Sequence, residues 1–116
     1  MKRVPAIFFR TASGSEPVRE WLRAMLAADR RRIGESLKTV EFGWPVGMPV
    51  CRPMGGGLHE VRTQLDRNRI ARMLFYIDRR QRLVVLHGFI KKSRRTPQSD
   101  LDLARANKRM HERSLI

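Results

Sequence analysis

The apolar positions at the start of the chain follow a strand-like run and then two helical stripes. Residues 4–9 form a short apolar run before Arg10, which predicts a first strand. Beyond Ser15, a candidate N-cap, apolar residues recur three and four positions apart, as on the buried side of a helix. The first stripe comprises Val18, Trp21, Leu22 and Met25, and the second, beyond the candidate cap Asp29, comprises Ile33, Leu37 and Val40. The pattern predicts a helical hairpin that ends near Gly43.

Downstream of the hairpin the pattern changes to apolar runs with polar links. Residues 44–57 hold three prolines and four glycines without periodicity, which predicts a long loop. Three apolar runs follow, over residues 58–65, 70–77 and 83–90, and their short links favour antiparallel hairpins. Pro97 ends an extended segment, and Ser99 is a candidate cap for a last helix that reaches about residue 113.

The order of these elements predicts an α+β fold, βααβββα, in which two N-terminal helices pack on an antiparallel sheet. We expect a single domain over residues 1–116. The run 83–90 is apolar on both faces, so we expect it centrally in the sheet with helices on one side. The apolar positions of the last helix, among them Leu103, Ala106 and Met110, are sparse. This helix is therefore expected to pack weakly or to pack on a partner.

The charge of the chain narrows the class of partner. There are 25 lysines and arginines against 11 aspartates and glutamates, a formal charge of +14, and the hydrophobic content of 41% excludes a disordered basic tail. Residues 58–97 hold 11 of the basic residues and 3 of the acidic ones. This concentration on the expected sheet favours a nucleic acid, an anionic surface or an acidic protein as partner.

The sequence also predicts where the protein works. Its apolar runs are a few residues long, far short of the roughly 20 that a bilayer-spanning helix needs, and we expect no secretory signal. The lone cysteine, Cys51, cannot form an internal disulfide, which fits a reducing compartment. We therefore expect a cytoplasmic protein with no membrane partner.

Alternation along the expected strands brings charged side chains together. Glu60, Arg62 and Gln64 share one face of their strand, and Arg72 lies among apolar neighbours on the next strand. An arginine inside a strand costs free energy unless it is paired or faces a wet groove. Four further cations lie at and beyond the end of the last strand: Lys91, Lys92, Arg94 and Arg95.

Two interpretations of these charges stay open. In the first, Glu60 and Arg62 form a cross-strand ion pair with Arg72, and residues 91–95 are a solvated charge run. In the second, the same side chains line a groove that binds an anion.

Other polar residues give weaker signals. His59 and His87 have apolar neighbours, which favours packed, hydrogen-bonded roles, and His111 is expected on a helix surface. No histidine and cysteine spacing resembles a zinc site, so no metal is expected. Glycines 55–57 lack the lysine and hydroxyl residue of a phosphate-binding loop. Cys51 is more often an incidental thiol than a nucleophile.

Several segments resemble a known family. They are Gly57-Leu58-His59-Glu60-Val61-Arg62, Arg69-Ile70-Ala71-Arg72-Met73-Leu74-Phe75-Tyr76, Leu86-His87-Gly88-Phe89-Ile90-Lys91-Lys92, Thr96-Pro97 and Ala104, together with Val18-Arg19-Glu20-Trp21-Leu22 and residues 37–43. These segments are similar to the RelE/ParE toxin superfamily, and more narrowly to its phage-derived, HigB-like branch. The Phe-Ile-Lys-Lys stretch followed by Thr-Pro is the most specific part.

The resemblance implies the toxin of a type II toxin–antitoxin pair. Such a toxin enters the ribosomal A site and cleaves mRNA there, with no metal and no cofactor. Its partners are the ribosome, the mRNA and a cognate antitoxin, a small helix-turn-helix DNA-binding protein that masks the toxin. Two helices over an antiparallel sheet are the fold implied.

RNA cleavage without a metal needs a base, an acid and cations placed around the phosphate. We expect Arg72 to grip the scissile phosphate, Lys91 or Lys92 to share the transition-state charge, and Arg62 to orient the RNA. Glu60 is the nearest candidate base, although a salt-bridged carboxylate is a poor one, so a structural role is the alternative. The other expected contacts to RNA are Arg69, Arg94, Arg95 and, if its strand register turns it into the groove, His59.

The C-terminal region departs from the better-studied members. It has Leu101, Leu103 and His111, but no Tyr or Trp, where those members place an aromatic or histidine residue that stacks on the base. Two alternatives therefore stay open. One is a gyrase-inhibiting, ParE-like toxin, and the other is a non-enzymatic basic module that binds RNA or its antitoxin.

Overall fold

The computed structural model of the chain describes residues 1–91 and 94–115. Its elements are β1 (Ala6–Phe8), α1 (Pro17–Arg23), α2 (Ala27–Gly43), β2 (Cys51–Gly55), β3 (Leu58–Gln64), β4 (Ile70–Ile77), β5 (Leu83–Lys91) and α3 (Gln98–Ser114). The predicted mixture of helices and strands is confirmed, whereas the order βααβββα is wrong because it lacks β2. No helix in the described part of the chain is long and apolar enough to cross a membrane.

The five strands form one sheet in the order β1-β5-β4-β3-β2. Strands β2 to β5 pair antiparallel, whereas β1 pairs parallel with β5, with Ala6 opposite Leu83. The sheet is therefore mixed, and the prediction of an antiparallel sheet is wrong. Short polar links indicate only how consecutive strands pair, so they contain no information on the partner of β1.

Strand β2 lies inside the segment that the sequence predicts as a loop. It forms the edge of the sheet, where only one side needs hydrogen-bonded neighbours, so it tolerates Pro53. Its register with β3 shifts between Pro53 and Gly55. The loop prediction failed here because proline and glycine are common in loops, and an edge strand beside a bulge accepts the same residues.

Helices α1 and α2 cover one face of the sheet with the predicted apolar stripes. Val18 of α1 and Ile33 and Val40 of α2 are buried in one cluster with Met73 and Val85 of the sheet. This packing confirms the stripes that the periodicity predicts, and it removes one side of β4 and β5 from water.

Helix α3 covers the opposite face, so helices lie on both sides of the sheet. Ala104 is fully buried and clusters with Leu74 and Leu86. The expectations of helices on one side and of a weakly packed last helix are therefore wrong. A small residue at the contact lets the helix approach the sheet closely, so few apolar positions suffice, and Leu103 and Met110 remain exposed.

A β-bulge in β5 decides which side chains face α3. His87 lies opposite Leu74 and Val85 lies opposite Phe75, so Leu86 is the extra residue. Leu86 and His87 consequently both face α3, where Leu86 packs with Ala104 and His87 meets Asp100. The next residue, Gly88, faces α1, and a Cβ there would lie only 2.4 Å from the Trp21 ring.

Candidate functional site

Cross-strand register gathers the predicted charges on the face that α3 covers. Arg52 of β2 lies opposite Glu60, Arg62 lies opposite Arg72, and Lys91 of β5 lies opposite Ile70. Directly opposed residues share a face, and alternation puts Glu60 and Arg62 on the same one. Four cations and one carboxylate from four strands therefore share this surface. We call these four cations, Arg52, Arg62, Arg72 and Lys91, together with Arg94 and Arg95 of the segment that follows β5, the basic face.

A buried ion cluster forms the floor of the basic face. Glu60 and Arg72 are both 0% exposed. Glu60 Oε1 lies 3.5 Å from Arg62 Nε and 3.9 Å from Arg72 Nε. Its other oxygen accepts a short hydrogen bond from the Thr96 hydroxyl. Burial, followed by the neighbouring Arg62 charge, lowers the pKa of Arg72, and Glu60 partly offsets this shift.

The rim of the basic face reaches water. The side chain of Arg62 is 27% exposed and that of Lys91 is 46% exposed. Arg62 Nη2 also donates to the carbonyl oxygen of Arg94, 3.2 Å away, which ties the segment after β5 to β3. Arg94 and Arg95 are exposed, and the predicted catalytic Lys92 lies outside the described residues.

A second polar group borders the basic face where β5 meets the first turn of α3. His87 Nε2 lies 2.7 Å from Asp100 Oδ1, and Lys91 Nζ lies 3.7 Å from Asp100 Oδ2. One carboxylate thus contacts an imidazole and an ammonium group. We call His87, Lys91 and Asp100 the Asp100 group.

Two of the predicted RNA contacts lie elsewhere. Arg69 makes a bidentate ion pair with Asp29 on α2, with N···O distances of 2.9 and 3.1 Å. His59 packs on the α2 side of the sheet, where its ring stacks on Phe75 and meets the edge of Trp44. Burial lowers the pKa of His59. The structure therefore brings neither side chain to the basic face.

The structure supports elements of both interpretations of the charges. Glu60 does pair with Arg62 and Arg72, as the ion-pair interpretation predicts. The cations nevertheless outnumber the single carboxylate at their centre, and Arg62 and Lys91 remain open to water. The cluster is thus partly neutralised inside and positive at its rim, which suits a polyanion better than a neutral partner.

Sequence reasoning missed Asp100, Thr96 and Arg52, and left His87 as a packed residue. Asp100 is placed by the first turn of α3 and Thr96 by the turn that precedes it. Arg52 lies in β2, which the sequence pattern predicts as part of a loop. A usable signal existed for His87 alone, because Gly88 after it indicates a bulge or a close backbone contact in a strand. No group of three or more possible metal ligands occurs among residues 1–91 and 94–115.

Comparison with protein families identifies the family to which the chain belongs. A family model described as Phage derived protein Gp49-like (DUF891) matches residues 20–109. The chain belongs to this family. Gp49-like proteins are associated with the toxins of toxin–antitoxin systems of the RelE/HigB type. No curated protein matches the chain.

The matched range contains every residue of the basic face and of the Asp100 group. The Gp49-like segment thus includes β2 to β5, α2, and most of α1 and α3. A toxin of this class implies an antitoxin as its partner.

Proposed function

We propose that this Gp49-like chain is the toxin of a type II toxin–antitoxin pair of the HigB-like branch, and that it cleaves mRNA on the ribosome without a metal. The observation that carries the proposal is the basic face, where β2 to β5 contribute cations to one surface. A polyanion with closely spaced phosphates fits such a surface, because several cations neutralise it at once.

Cleavage of an RNA strand builds negative charge on the phosphate in the transition state, so cations that are already in place stabilise it. Arg62 and Lys91 take this role, since both reach water beside the buried cluster. Arg72 is fully buried, so it acts on the phosphate through its charge in this conformation. Glu60 holds Arg62 and Arg72 together, which is a structural role and not that of a base.

The basic face is also the proposed contact surface for the ribosome and the mRNA. The ribosome and the mRNA present phosphates to the positive rim of the basic face. The cognate antitoxin, a small helix-turn-helix protein, neutralises the toxin until it is removed. The proposed place of action is the bacterial cytoplasm, where translating ribosomes are found.

The deciding experiment adds the purified chain to translating ribosomes and maps the ends of the mRNA. We expect cuts within codons, and Arg62→Ala should slow them about 100-fold, as when one transition-state stabiliser is lost. Arg31→Ala is the matched control, because Arg31 is an exposed arginine on α2, away from this face. Equal loss in both variants would contradict a local role for Arg62.

Two other results would replace the proposal. If transcripts stay intact and DNA supercoiling by gyrase is inhibited, the chain acts as a ParE-like toxin. If the chain binds RNA with strong salt dependence but neither arrests growth nor cuts mRNA, it is a binding module.

A further inference from the structure

The imidazole of His87, in the Asp100 group, contacts a carboxylate and is partly exposed to solvent. His87 Nε2 lies 2.7 Å from Asp100 Oδ1. A carboxylate can only accept, so Nε2 carries the hydrogen and Nδ1 of the neutral ring keeps its lone pair. An imidazole whose tautomer is fixed by a carboxylate is suited to accept a proton on its other nitrogen.

We propose that His87, oriented by Asp100, is the general base that removes the proton from the attacking 2′-hydroxyl of the RNA. The inference rests on the proposed function, because it names the proton-transfer residue for that reaction. It differs from the sequence-based expectation, in which Glu60 was the nearest base. Glu60 is 0% exposed and bonded to Thr96, whereas the His87 side chain is 19% exposed.

The imidazole of His87 is accessible from solvent, because it lines an open cavity. A cavity of about 340 Å³ runs between α1 and α3. His87 lies in its wall with Trp21, Leu86, Gly88, Leu103 and Asn107. The bulge in β5 is what turns His87 to this side, and Asn107 Nδ2 holds the bulge by donating to the Leu86 carbonyl oxygen, 2.9 Å away.

His87 is also close to the cations that would hold the phosphate. Arg72 lies opposite Phe89, two residues along β5 from His87, and such diagonal neighbours in a sheet have Cα atoms about 7–8 Å apart. Lys91 shares the Asp100 carboxylate with His87. A phosphate held by Lys91 would therefore lie beside the imidazole, because both side chains contact the same carboxylate.

The proposed step balances in atoms and protons. His87 Nδ1 takes the proton of the 2′-hydroxyl as the 2′-oxygen forms a bond to phosphorus. The bond between phosphorus and the 5′-oxygen breaks, and that oxygen takes a proton from water. The imidazolium, stabilised by Asp100, then returns its proton to the solvent. The products are a 2′,3′-cyclic phosphate and a 5′-hydroxyl end, with no net proton consumed.

The competing explanation is that His87 only fastens α3 to the sheet, and the chain contains a matched control for it. His111 of α3 also makes one hydrogen bond between helix and sheet, between its Nδ1 and Tyr76 Oη, 2.5 Å apart. It lies at the other end of α3, away from the basic face. His111→Gln therefore makes the same substitution at a comparable contact between helix and sheet without touching the Asp100 group.

The experiment compares cleavage by the wild-type chain, His87→Gln, His87→Ala and His111→Gln on translating ribosomes. Glutamine can still donate to Asp100 but cannot take up a proton, so it separates fastening from proton transfer. We expect His87→Gln and His87→Ala to lose at least about 100-fold in rate. Free imidazole should restore part of the His87→Ala rate, and His111→Gln should cut at the wild-type rate.

Three results would overturn this assignment. The first is that His87→Gln cuts mRNA as fast as the wild type. The second is that His111→Gln loses as much of the cleavage rate as His87→Gln does. The third is that imidazole restores none of the cleavage rate of a folded His87→Ala chain. A wild-type chain that leaves mRNA intact on active ribosomes overturns the proposed function as well. Cleavage by the wild type together with undiminished cleavage by His87→Gln overturns only the role of His87.

Discussion

Arg69 and Arg72 are three residues apart in the chain, yet they lie on opposite sides of the sheet and have different partners and different burial. Arg69 makes a bidentate hydrogen-bonded pair with Asp29 on the α2 side, and this bond raises the pKa of Arg69. Arg72 is completely buried on the α3 side, where Glu60 lies 3.9 Å away. Its pKa is lowered by burial and by Arg62.

The difference shows that the neighbours of an arginine decide its role. The Asp29 carboxylate satisfies Arg69 with two hydrogen bonds, so little positive potential is left for a ligand. Glu60 is shared between Arg62 and Arg72, so the group as a whole keeps a positive charge. The pair of Arg69 and Asp29 connects the β3–β4 link to α2. The cluster of Glu60, Arg62 and Arg72 keeps positive charge close to the solvent-exposed edge of the basic face.

The largest expected effect comes from removing the shared carboxylate. Glu60→Gln removes the carboxylate that Arg62 and Arg72 share, and breaking a buried ion pair in this way costs about 3–5 kcal/mol. Urea denaturation followed by circular dichroism measures the loss in the free energy of unfolding. A loss no greater than that of Asp29→Asn would show that the two clusters are equivalent.

Replacing both buried members by apolar residues should behave differently. Glu60→Met combined with Arg72→Met removes both of the fully buried charges of the cluster, and such replacements are often neutral or stabilising. We expect the double variant to be more stable than Glu60→Gln in the same denaturation assay while its mRNA cleavage is lost. A double variant that is stable and still cuts mRNA would show that cleavage does not need the buried charges of Glu60 and Arg72.

The pair of Arg69 and Asp29 should show a smaller, pH-dependent effect. The Arg69 hydrogen bonds hold the pKa of Asp29 below its ordinary value of 3.8. The unfolded chain therefore binds the proton first, and the stability due to Asp29 is present above pH 3.8 and is lost as the pH falls through the lowered value. Denaturation between pH 5 and pH 2 should show a shallower decline for Asp29→Asn than for the wild type.

The smallest effect is expected in the salt dependence of RNA binding. A cation that contacts phosphate in single-stranded RNA contributes about 0.7 to the slope of log affinity against log salt. Lys91→Ala should reduce the slope by about that amount, whereas Arg69→Ala should leave it unchanged because Arg69 is already paired. Fluorescence anisotropy with a short labelled RNA gives both slopes, and equal slopes for the two variants would place Arg69 among the RNA contacts.

Local periodicity was sufficient to predict most elements and the faces of β3 and β4. The stripe with Val18 and the alternation that puts Glu60 beside Arg62 depend only on residues a few positions apart, so the sequence contains them. The same reasoning missed β2, because Pro53 and its neighbouring glycines suit a loop and an edge strand equally. It also missed the register shift in β5 that turns His87 toward α3.

The sequence by itself determined every element except β2, the excess of positive charge and most of the cations that could form a site. Only the tertiary structure decided which of them meet. Thr96 bonds to Glu60 across 36 residues, and Arg69 bonds to Asp29 across 40. The physical reason is that periodicity is a property of neighbours along the chain, whereas the partner of a charge depends on which helix packs on which face of the sheet.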